Sequence, residues 1–384
     1  MRILYGVVGE GMGHATRSRV VIAHLLEVGH TVRVVVSGRA HRFLREAFAG
    51  QAQLSLEEIH GFHLNYEGNA LDRSKSLRTN LTAAPRGLLK NIGVYRKVAE
   101  DGFSPELVVS DFESWAYLYA LNHRLPVISI DNQQVVNRCD IPPEVTDGKS
   151  LDHWMTQLAV KLKLPGAYHY LVTSFFFPRV RKPRTTLVPP ILRPEILAAK
   201  REPGRHVLVY QTAAANTELV PTLQALPYEF RVYGMGREGR EGNVTLCAFS
   251  QHGFVDDLRT ARAVVAGGGY SLMGEAVHLH VPMFSVPVEK QFEQELNARY
   301  LAHLGYGAWA KKLETAHLAN FLAHVDDHAH VLASYEPHDN SLLLGCLDEL
   351  VDTIASEAPR PLRLRHASMG SFQGETLPEE HTEE

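Results

Sequence analysis

Ala263-Val-Val-Ala-Gly-Gly-Gly-Tyr-Ser-Leu-Met-Gly-Glu-Ala276 is the stretch of sequence that decides the fold. A short β-branched run leads into three consecutive glycines, and residues that suit a helix follow. Glycine has no Cβ, so a ligand can approach the turn closely, and the free N–H groups at the start of the helix favour negative charge. The stretch therefore predicts a phosphate-binding corner in a parallel α/β sheet.

Short β-branched segments alternate with longer amphipathic ones on both sides of this corner, a pattern typical of parallel sheets with helical crossovers. The strands predicted in the first half are residues 3–8, 31–36, 107–111, 127–131 and 170–174. Those predicted in the second half are residues 206–210, 229–234, 244–249, 263–266 and 281–286. We expect an α/β protein with two Rossmann-like, doubly wound parallel-sheet domains.

The proline-rich segment Thr186-Leu-Val-Pro-Pro-Ile-Leu-Arg-Pro194 separates the two halves. Its prolines oppose a helix and favour an extended connector, so we expect one domain over residues 1–190 and a second over 191–340. Apolar residues at helical spacing predict a last helix over 341–357, which is expected to pack back on the first domain. The sequence finishes with Glu379-Glu-His-Thr-Glu-Glu384, which is acidic and polar, and residues 358–384 are expected to form a disordered tail.

Composition narrows the class of protein. The 384 residues are 45% hydrophobic and 21% charged, as in a globular protein of about two domains. A formal net charge of -4 gives no overall positive field for a nucleic acid, and the three separated cysteines indicate neither a disulfide framework nor a thiolate metal site. The sequence begins without an export signal and has no run of about 20 apolar residues. A cytoplasmic protein is expected, with any membrane contact peripheral, at the inner face.

A second glycine-rich turn, Gly9-Glu-Gly-Met-Gly-His14, joins the first predicted strand to a helical stretch over 17–28. The same physical argument predicts an anion-binding loop built from Gly9, Glu10, Gly11 and Gly13. The dinucleotide fingerprint GxGxxG fits poorly, because His14 takes the place of the third glycine. The second strand also ends in Val36-Ser-Gly-Arg39 and not in the acidic residue that binds an NAD ribose, although an arginine there suits NADP.

His14 and Asp111 are the candidate catalytic pair. Both follow or end predicted parallel strands, and ligands of doubly wound folds bind at that edge of the sheet. A carboxylate that accepts a hydrogen bond from an imidazole fixes its tautomer and stabilises the cation formed when it takes a proton. Asp111 has an alternative role as the cap of the helix that follows it, and the sequence leaves both open.

The ordered motifs of the second half resemble the donor-binding signature of GT-B-fold glycosyltransferases. After the glycine turn and a Glu-Ala pair come Val281-Pro-Met-Phe-Ser-Val-Pro287 and Glu293-Gln-Glu-Leu-Asn-Ala298. The resemblance implies donor-binding residues that contact in turn the diphosphate, the ribose, the sugar hydroxyls and, through backbone groups, the base. They are Gly267, Gly268, Gly269 and Ser271 for the diphosphate, Glu275 for the ribose, Glu293 and Gln294 for the sugar, and Phe254 and Val255 for the base.

The first glycine loop is similar to that of the bacterial lipid-intermediate N-acetylglucosaminyltransferase and UDP-glycosyltransferase group. The resemblance implies an acceptor-side first domain and a nucleotide-sugar-binding second domain that face one another across a cleft. It also implies an inverting transfer in which His14, supported by Asp111, removes the proton of the acceptor hydroxyl. Relatives often have Thr or Gly where Glu10 stands, so this carboxylate is expected to face the acceptor, away from a phosphate.

No D-x-D triplet occurs, so the resemblance implies a metal-independent enzyme whose helix-terminal amides stabilise the leaving diphosphate. Two histidine pairs, His278 with His280 and His328 with His330, have no Cys or carboxylate residue at the spacing of a zinc site, so they are not expected to bind a metal. The expected co-substrate is a nucleotide sugar, UDP-sugar by resemblance, with no other cofactor. The acceptor is expected to be a small molecule, a lipid-linked compound or a glycan.

Residues 73–97 mix basic and apolar side chains, which suits either an anionic membrane surface or an ordinary amphipathic helix with a solvated basic face. Two other functions stay open for the whole chain. One is a sugar-nucleotide epimerase of the same architecture, and the other is a non-catalytic sugar-nucleotide-binding protein.

Overall fold

The computed structural model describes residues 1–9, 12–61, 65–67, 70–146, 151–211, 217–248, 250–289 and 291–357. Glu10, Gly11 and the predicted tail over 358–384 lie outside these residues. Most of the described chain forms two seven-stranded sheets, each covered by helices on both faces. None of the described helices combines the length and apolar character that a bilayer crossing requires.

The first sheet has the strand order β3-β2-β1-β6-β7-β8-β9, and every neighbouring pair is parallel. The elements that build it and the segment after it are β1 (Arg2–Val7), α1 (Met12–Glu27), β2 (Thr31–Ser37), α2 (Gly38–Ala47), β3 (Leu54–Ile59), β4 (Asn65–Glu67), β5 (Ala70–Asp72), α3 (Arg73–Glu100), β6 (Leu107–Asp111), α4 (Ser114–His123), β7 (Val127–Asp131), α5 (Val135–Arg138), α6 (Pro143–Thr146), α7 (Leu151–Lys163), β8 (His169–Thr173), β9 (Thr185–Val188) and α8 (Pro194–Leu197). Strands β4 and β5 form a separate antiparallel pair.

The second sheet has the order β12-β13-β11-β10-β14-β15-β16 and is parallel except for β12. Its elements are β10 (Val207–Tyr210), α9 (Leu219–Gln224), β11 (Phe230–Tyr233), β12 (Gly239–Glu241), β13 (Val244–Cys247), α10 (Gln251–Thr260), β14 (Ala263–Ala266), α11 (Tyr270–His278), β15 (Met283–Ser285), α12 (Phe292–His303), β16 (Gly307–Trp309), α13 (Thr315–Ala323), α14 (Val325–Leu332) and α15 (Ser341–Ser356).

The predicted doubly wound α/β architecture is confirmed, and each predicted strand is found within two residues at either end. Strands β6 and β7 are buried along their whole length, which explains their continuous apolar runs. Four strands of the two sheets were not predicted from the sequence, and all four lie at sheet edges. They are β3 and β9 in the first sheet and β12 and β16 in the second. They are short or only partly buried, so their sequences mix polar and apolar residues.

The two sheets are joined through the segment after β9 and through the last helix. The side-chain amide of Asn340 bonds both backbone groups of Leu192, at 2.9 Å to the nitrogen and 2.7 Å to the oxygen. Helix α15 then packs Leu343, Leu347 and other apolar residues into the core formed by α1, α2 and the first sheet. The end of the described chain therefore contacts its beginning.

Candidate active site

His14 and Asp111 are brought together at the carboxyl edge of the first sheet. Strands β1 and β6 are parallel neighbours, with Val7 opposite Asp111, and the chain passes from β1 into α1. The imidazole Nδ1 lies 2.8 Å from Asp111 Oδ1. The sequence interpretation of His14 as a loop residue is wrong in one respect. Helix α1 begins at Met12, five residues earlier than predicted, so His14 stands in its first turn.

Asp111 does not cap the following helix. The N-cap of α4 is Glu113, whose carboxylate accepts bonds from the backbone N–H groups of Trp115 and Ala116. Asp111 instead accepts bonds from Arg17 on both oxygens, with Arg17 Nε 2.9 Å from Oδ2, and from the hydroxyl of Ser18 at 2.9 Å. The carboxylate is therefore surrounded by donors at the very edge that the sequence predicted.

Arg17 is a site residue that sequence reasoning missed. It is 5% exposed, and its Nη2 lies 2.7 Å from His14 Nδ1. The signal that could have found it was spacing, because residues three apart on a helix share a face. Burial alone would raise the pKa of Asp111, but Arg17 and His14 outweigh it and hold that pKa well below its usual range. Burial also lowers the pKa of His14, and the Arg17 cation lowers it further against the pull of Asp111.

The segment after β7 connects this cluster to the second domain. Asn132 Oδ1 accepts a bond from Arg17 Nη1 at 2.8 Å, and Asn132 Nδ2 donates to Glu293 Oε1 at 2.7 Å. Gln133 is buried with Nε2 3.4 Å from His14 Nε2, while its Oε1 has no hydrogen-bond partner among the described residues. Glu293, expected at the donor sugar, thus reaches the imidazole cluster from α12.

The predicted corner of the second domain is a strand, turn and helix. Strand β14 ends at Ala266, and α11 begins at Tyr270 after the three glycines. Gln294 Oε1 accepts bonds from the backbone N–H groups of Gly268 and Val288, both at 3.1 Å, and Asn297 Nδ2 donates to Gly268 O at 3.1 Å. The Gln294 oxygen that was expected to face a sugar is therefore bonded to the turn itself.

The two glycine-containing corners lie in contact. A Cβ placed on Gly13 would lie 2.6 Å from Ser271 Oγ, so glycine permits the first turn of α1 to approach the start of α11. Gly9 is packed differently, since a Cβ there would lie 2.0 Å from Ser37 Oγ at the end of β2. Gly13 and Ser271 are thus the residues through which the predicted loops meet.

Glu275 has a partner that the sequence did not reveal. Its two carboxylate oxygens lie 2.8 and 2.9 Å from Nε and Nη2 of Arg193, and both side chains are almost fully buried. Burial raises the pKa of Glu275, and Arg193 opposes that shift. Because the guanidinium occupies both oxygens, a ribose at Glu275 would have to share the carboxylate with it.

Phe254 and Val255 lie on α10 with buried side chains. The Phe254 ring packs against Tyr210 and Tyr233, with ring centroids 5.7 and 5.2 Å apart. Their side chains belong to the core, which leaves only backbone groups to contact a base.

A cavity of about 210 Å³ opens at the carboxyl edge of the second sheet. It is lined by residues of several strand ends and the loops after them, among them Tyr210, Gln211, Glu218, Gly267, Glu289, Lys311 and Lys312. Of the predicted donor-binding residues, only Gly267 lines this cavity. The others lie in the turn before α11 and in α10, α11 and α12.

One histidine of each pair noted in the sequence contacts a backbone carbonyl oxygen. His280 Nε2 lies 2.8 Å from Tyr335 O, and His328 Nδ1 lies 2.9 Å from Gly305 O. Within the described ranges, no three His, Cys, Asp or Glu side chains are grouped so that they could hold a metal ion.

Two facing Rossmann-like domains with glycine corners in contact match the GT-B architecture, and comparison with known proteins shows the family. The chain belongs to Glycosyl transferase family 1, whose family model matches residues 1–326. An uncharacterized glycosyltransferase of Methanosarcina acetivorans is 24% identical over 332 residues, which are 80% of this chain and 83% of that relative. One from Methanosarcina mazei is 23% identical over 347 residues, 80% of this chain and 85% of the relative.

Solved structures share the fold. The calicheamicin glycosyltransferase CalG4 is 16% identical, with a TM-score of 0.62 over 94% of this chain and 100% of its own. A UDP-glucosyltransferase from Polygonum tinctorium is 15% identical, with a TM-score of 0.65 over 93% and 99%. LpCGTa, solved with UDP, is 14% identical, with a TM-score of 0.63 over 93% and 99%. The expectation of a glycosyltransferase is confirmed, and sugar transfer from a nucleotide sugar to an acceptor is its activity.

Proposed function

We propose that this chain is an inverting, metal-independent glycosyltransferase in which His14 is the general base. The observation that carries the proposal is the contact of 2.8 Å between His14 Nδ1 and Asp111 Oδ1. With Nδ1–H donated to this carboxylate, the lone pair that would take a proton is on Nε2, which lies 3.4 Å from Gln133 Nε2. The lowered pKa of His14 supports the role, because a neutral imidazole near pH 7 can accept that proton.

The chemical step is a single displacement. The acceptor hydroxyl gives its proton to His14 Nε2 as its oxygen forms a bond to the anomeric carbon. The bond from that carbon to the diphosphate oxygen breaks on the opposite face, and the electron pair leaves with the nucleoside diphosphate. Gln133 is suited to orient the acceptor. Its Nε2 lies near His14, and its Oε1 has no hydrogen-bond partner among the described residues.

UDP-sugar is the donor we propose, with no other cofactor. Amides at the start of α11 would stabilise the leaving diphosphate without a metal ion, since a helix N-terminus carries partial positive charge. Two proteins of the same fold support the nucleotide, because LpCGTa was solved in complex with UDP and the Polygonum tinctorium enzyme is a UDP-glucosyltransferase. Glu275 would accept the ribose hydroxyls beside Arg193, and Glu293 would contact the sugar between the two corners.

The decisive experiment compares two histidines of the same helix. His24, also on α1, contacts Asp348 of α15 at 2.8 Å and is the matched control. UDP release is screened with UDP-glucose, UDP-galactose and UDP-N-acetylglucosamine against small-molecule, glycan and lipid-linked acceptors. We expect His14→Ala to lower transfer about 10³-fold with UDP affinity unchanged, and His24→Ala to leave transfer intact. If both variants transfer sugar equally well, His14 is not the general base. Loss of the parent's transfer activity when metal ions are chelated would contradict metal independence.

We further propose that one face of the first domain contacts an anionic membrane that carries a lipid-linked acceptor. Helices α3 and α4 pack on the sheet face opposite α1 and α15. Exposed apolar residues of α3 are Leu88, Leu89 and Ile92. Arg86 and Arg96 are exposed on the same helix, although the chain as a whole is acidic.

Vesicles of phosphatidylglycerol and phosphatidylcholine test this contact by cosedimentation. We expect the double variant Leu88→Ser, Leu89→Ser to bind less and Leu342→Ser, at an exposed position of α15, to bind as the parent does. Equal binding by all three proteins would contradict the membrane contact without touching the chemistry proposed for His14.

A further inference from the structure

Two groups compete for one nitrogen of His14. Asp111 Oδ1 lies 2.8 Å from Nδ1, and Arg17 Nη2 lies 2.7 Å from the same atom. Nδ1 either carries a proton or does not, so only one contact is a hydrogen bond at a time. In the arrangement that the transfer needs, Nδ1–H donates to Asp111, and Arg17 donates to Asp111 and Asn132.

The negative charge of Asp111 is therefore already balanced by Arg17 before His14 takes up a proton. Asp111 is held by Arg17 on both oxygens, so its negative charge faces a guanidinium as closely as an imidazole. A proton taken up by His14 would create a second cation beside Nη2 of Arg17. This differs from a simple carboxylate–imidazole pair, in which the carboxylate alone stabilises the cation.

The other charges near His14 come from neighbouring elements. Glu293 of α12 acts on the imidazole directly and favours the cation. Asp131 at the end of β7 acts on Arg17, and Lys163 at the end of α7 acts on Asp111 and Glu293. Among these groups Arg17 is the cation that contacts the imidazole, so it is the charge that most strongly opposes protonation of His14.

We propose that Arg17 is a positioning residue that keeps His14 neutral and so sets the pH above which His14 can take the acceptor proton. The part of this inference that concerns the acceptor rests on the proposed function. The part that concerns the imidazole does not, because it describes the free protein.

An NMR titration of the ring signals tests the proposal without donor or acceptor. The His14 signal is assigned by its loss in His14→Ala. We expect His14 to titrate below pH 6.5 in the parent and about 1 to 3 pH units higher in Arg17→Met, because the adjacent cation is gone. Arg17→Lys, which keeps the charge, should hold the His14 titration low.

The activity profile gives the second readout. In Arg17→Met the acidic limb of kcat/KM against pH should move upward together with the His14 titration, so transfer lost at pH 7 returns at higher pH. If Arg17 only supports the fold, activity falls at every pH and the His14 titration stays where it is, which would overturn the proposal. Should Arg17→Met fail to fold, Arg17→Gln removes the charge but keeps a donor for Asp111. An unchanged His14 titration in Arg17→Gln would also overturn the proposal. A shifted titration in a protein without transfer would keep this inference and reject the proposed function.

Discussion

The two glycine corners have the same local architecture but carry different groups. The corner between β1 and α1 surrounds a histidine with buried charged side chains, Arg17 and Asp111. The corner between β14 and α11 presents backbone amides, and the side chains next to it, Gln294 and Asn297, bond the turn itself. The first arrangement suits proton transfer, and the second suits a rigid cradle for an anion.

A difference of the same kind separates two buried aspartates at neighbouring strand ends. Asp111 accepts bonds from Arg17, Ser18 and His14, and its pKa lies well below the usual range. Asp131, one strand along, has no cation in direct contact among its described hydrogen-bond partners, Ser129 and the backbone of Gln134, and burial raises its pKa to about 6. Position at the sheet edge therefore does not set the pKa, because a contacting cation lowers the pKa of Asp111 whereas burial raises the pKa of Asp131.

The largest effect is expected from Asp111→Asn. The variant leaves Arg17 buried without its counter-charge and His14 without its fixed tautomer. We expect transfer to fall about 10³- to 10⁴-fold and the free energy of unfolding to fall by about 3 to 5 kcal/mol. Urea unfolding and the UDP-release assay measure both. Transfer close to that of the parent would contradict the catalytic role that distinguishes the first corner from the second.

Glu275→Ala tests the second buried ion pair. Arg193 would be left buried and unpaired, so a loss of about 3 to 5 kcal/mol in unfolding free energy is expected. Glu106→Ala, which breaks an exposed pair with Arg2, should cost less than about 1 kcal/mol. If Glu275 also holds the ribose, the parent should prefer UDP to 2′-deoxy-UDP and a folded Glu275→Gln protein should not. An undiminished preference would confine Glu275 to a structural role.

Adjacent glycines of the second corner provide a matched pair. A Cβ on Gly268 would lie 2.2 Å from the backbone oxygen of Gln294, whereas one on Gly269 would meet nothing within 4 Å. Gly268→Ala should therefore displace α12, cost about 3 kcal/mol and weaken UDP binding. Gly269→Ala, at φ −65°, should change the unfolding free energy by about 1 kcal/mol or less. Calorimetric UDP titration and thermal unfolding of both variants distinguish them, and equal behaviour would refute the close packing.

Asp131→Asn should have a smaller effect than Gly268→Ala, and of the opposite sign. The pKa of Asp131 is raised to about 6, so the folded protein binds more protons than the unfolded chain between about pH 4 and 6, and stability falls as pH rises through that window. Asparagine avoids this loss, and we expect the variant to be about 1 to 2 kcal/mol more stable at pH 7. Urea unfolding at pH 4 and pH 7 should show the gain only at the higher pH. A destabilised variant at pH 7 would mean that Asp131 has a charged partner.

The sequence predicted those features that depend on neighbouring parallel strands. Central strands are buried on both faces, so their apolar runs are continuous, and His14 and Asp111 meet because β1 and β6 are adjacent. The edge strand β3 escaped prediction because its residues are mostly half-buried. Local pattern alone predicts the corners and the order of the motifs.

Two bonds between residues far apart in the chain could not be predicted from the sequence. The bond from Asn132 to Glu293 joins the two domains and depends on how the two sheets are oriented. The bond from Arg193 to Glu275 depends on how the segment after β9 packs against α11. Gln294 shows a related limit. Its position beside the glycine turn was indicated, but a side-chain amide serves a sugar hydroxyl and a backbone N–H equally well, and only the packing of α12 against the turn decides between them.

The most direct test of the proposed mechanism is the anomeric configuration of the product, followed by proton NMR from the first turnovers. A base on the acceptor side and a leaving group held by the opposite corner require attack from the face opposite the diphosphate. An α-linked UDP-sugar should therefore give a β-linked product. An α-linked first product would contradict the roles assigned to His14 and to the two corners.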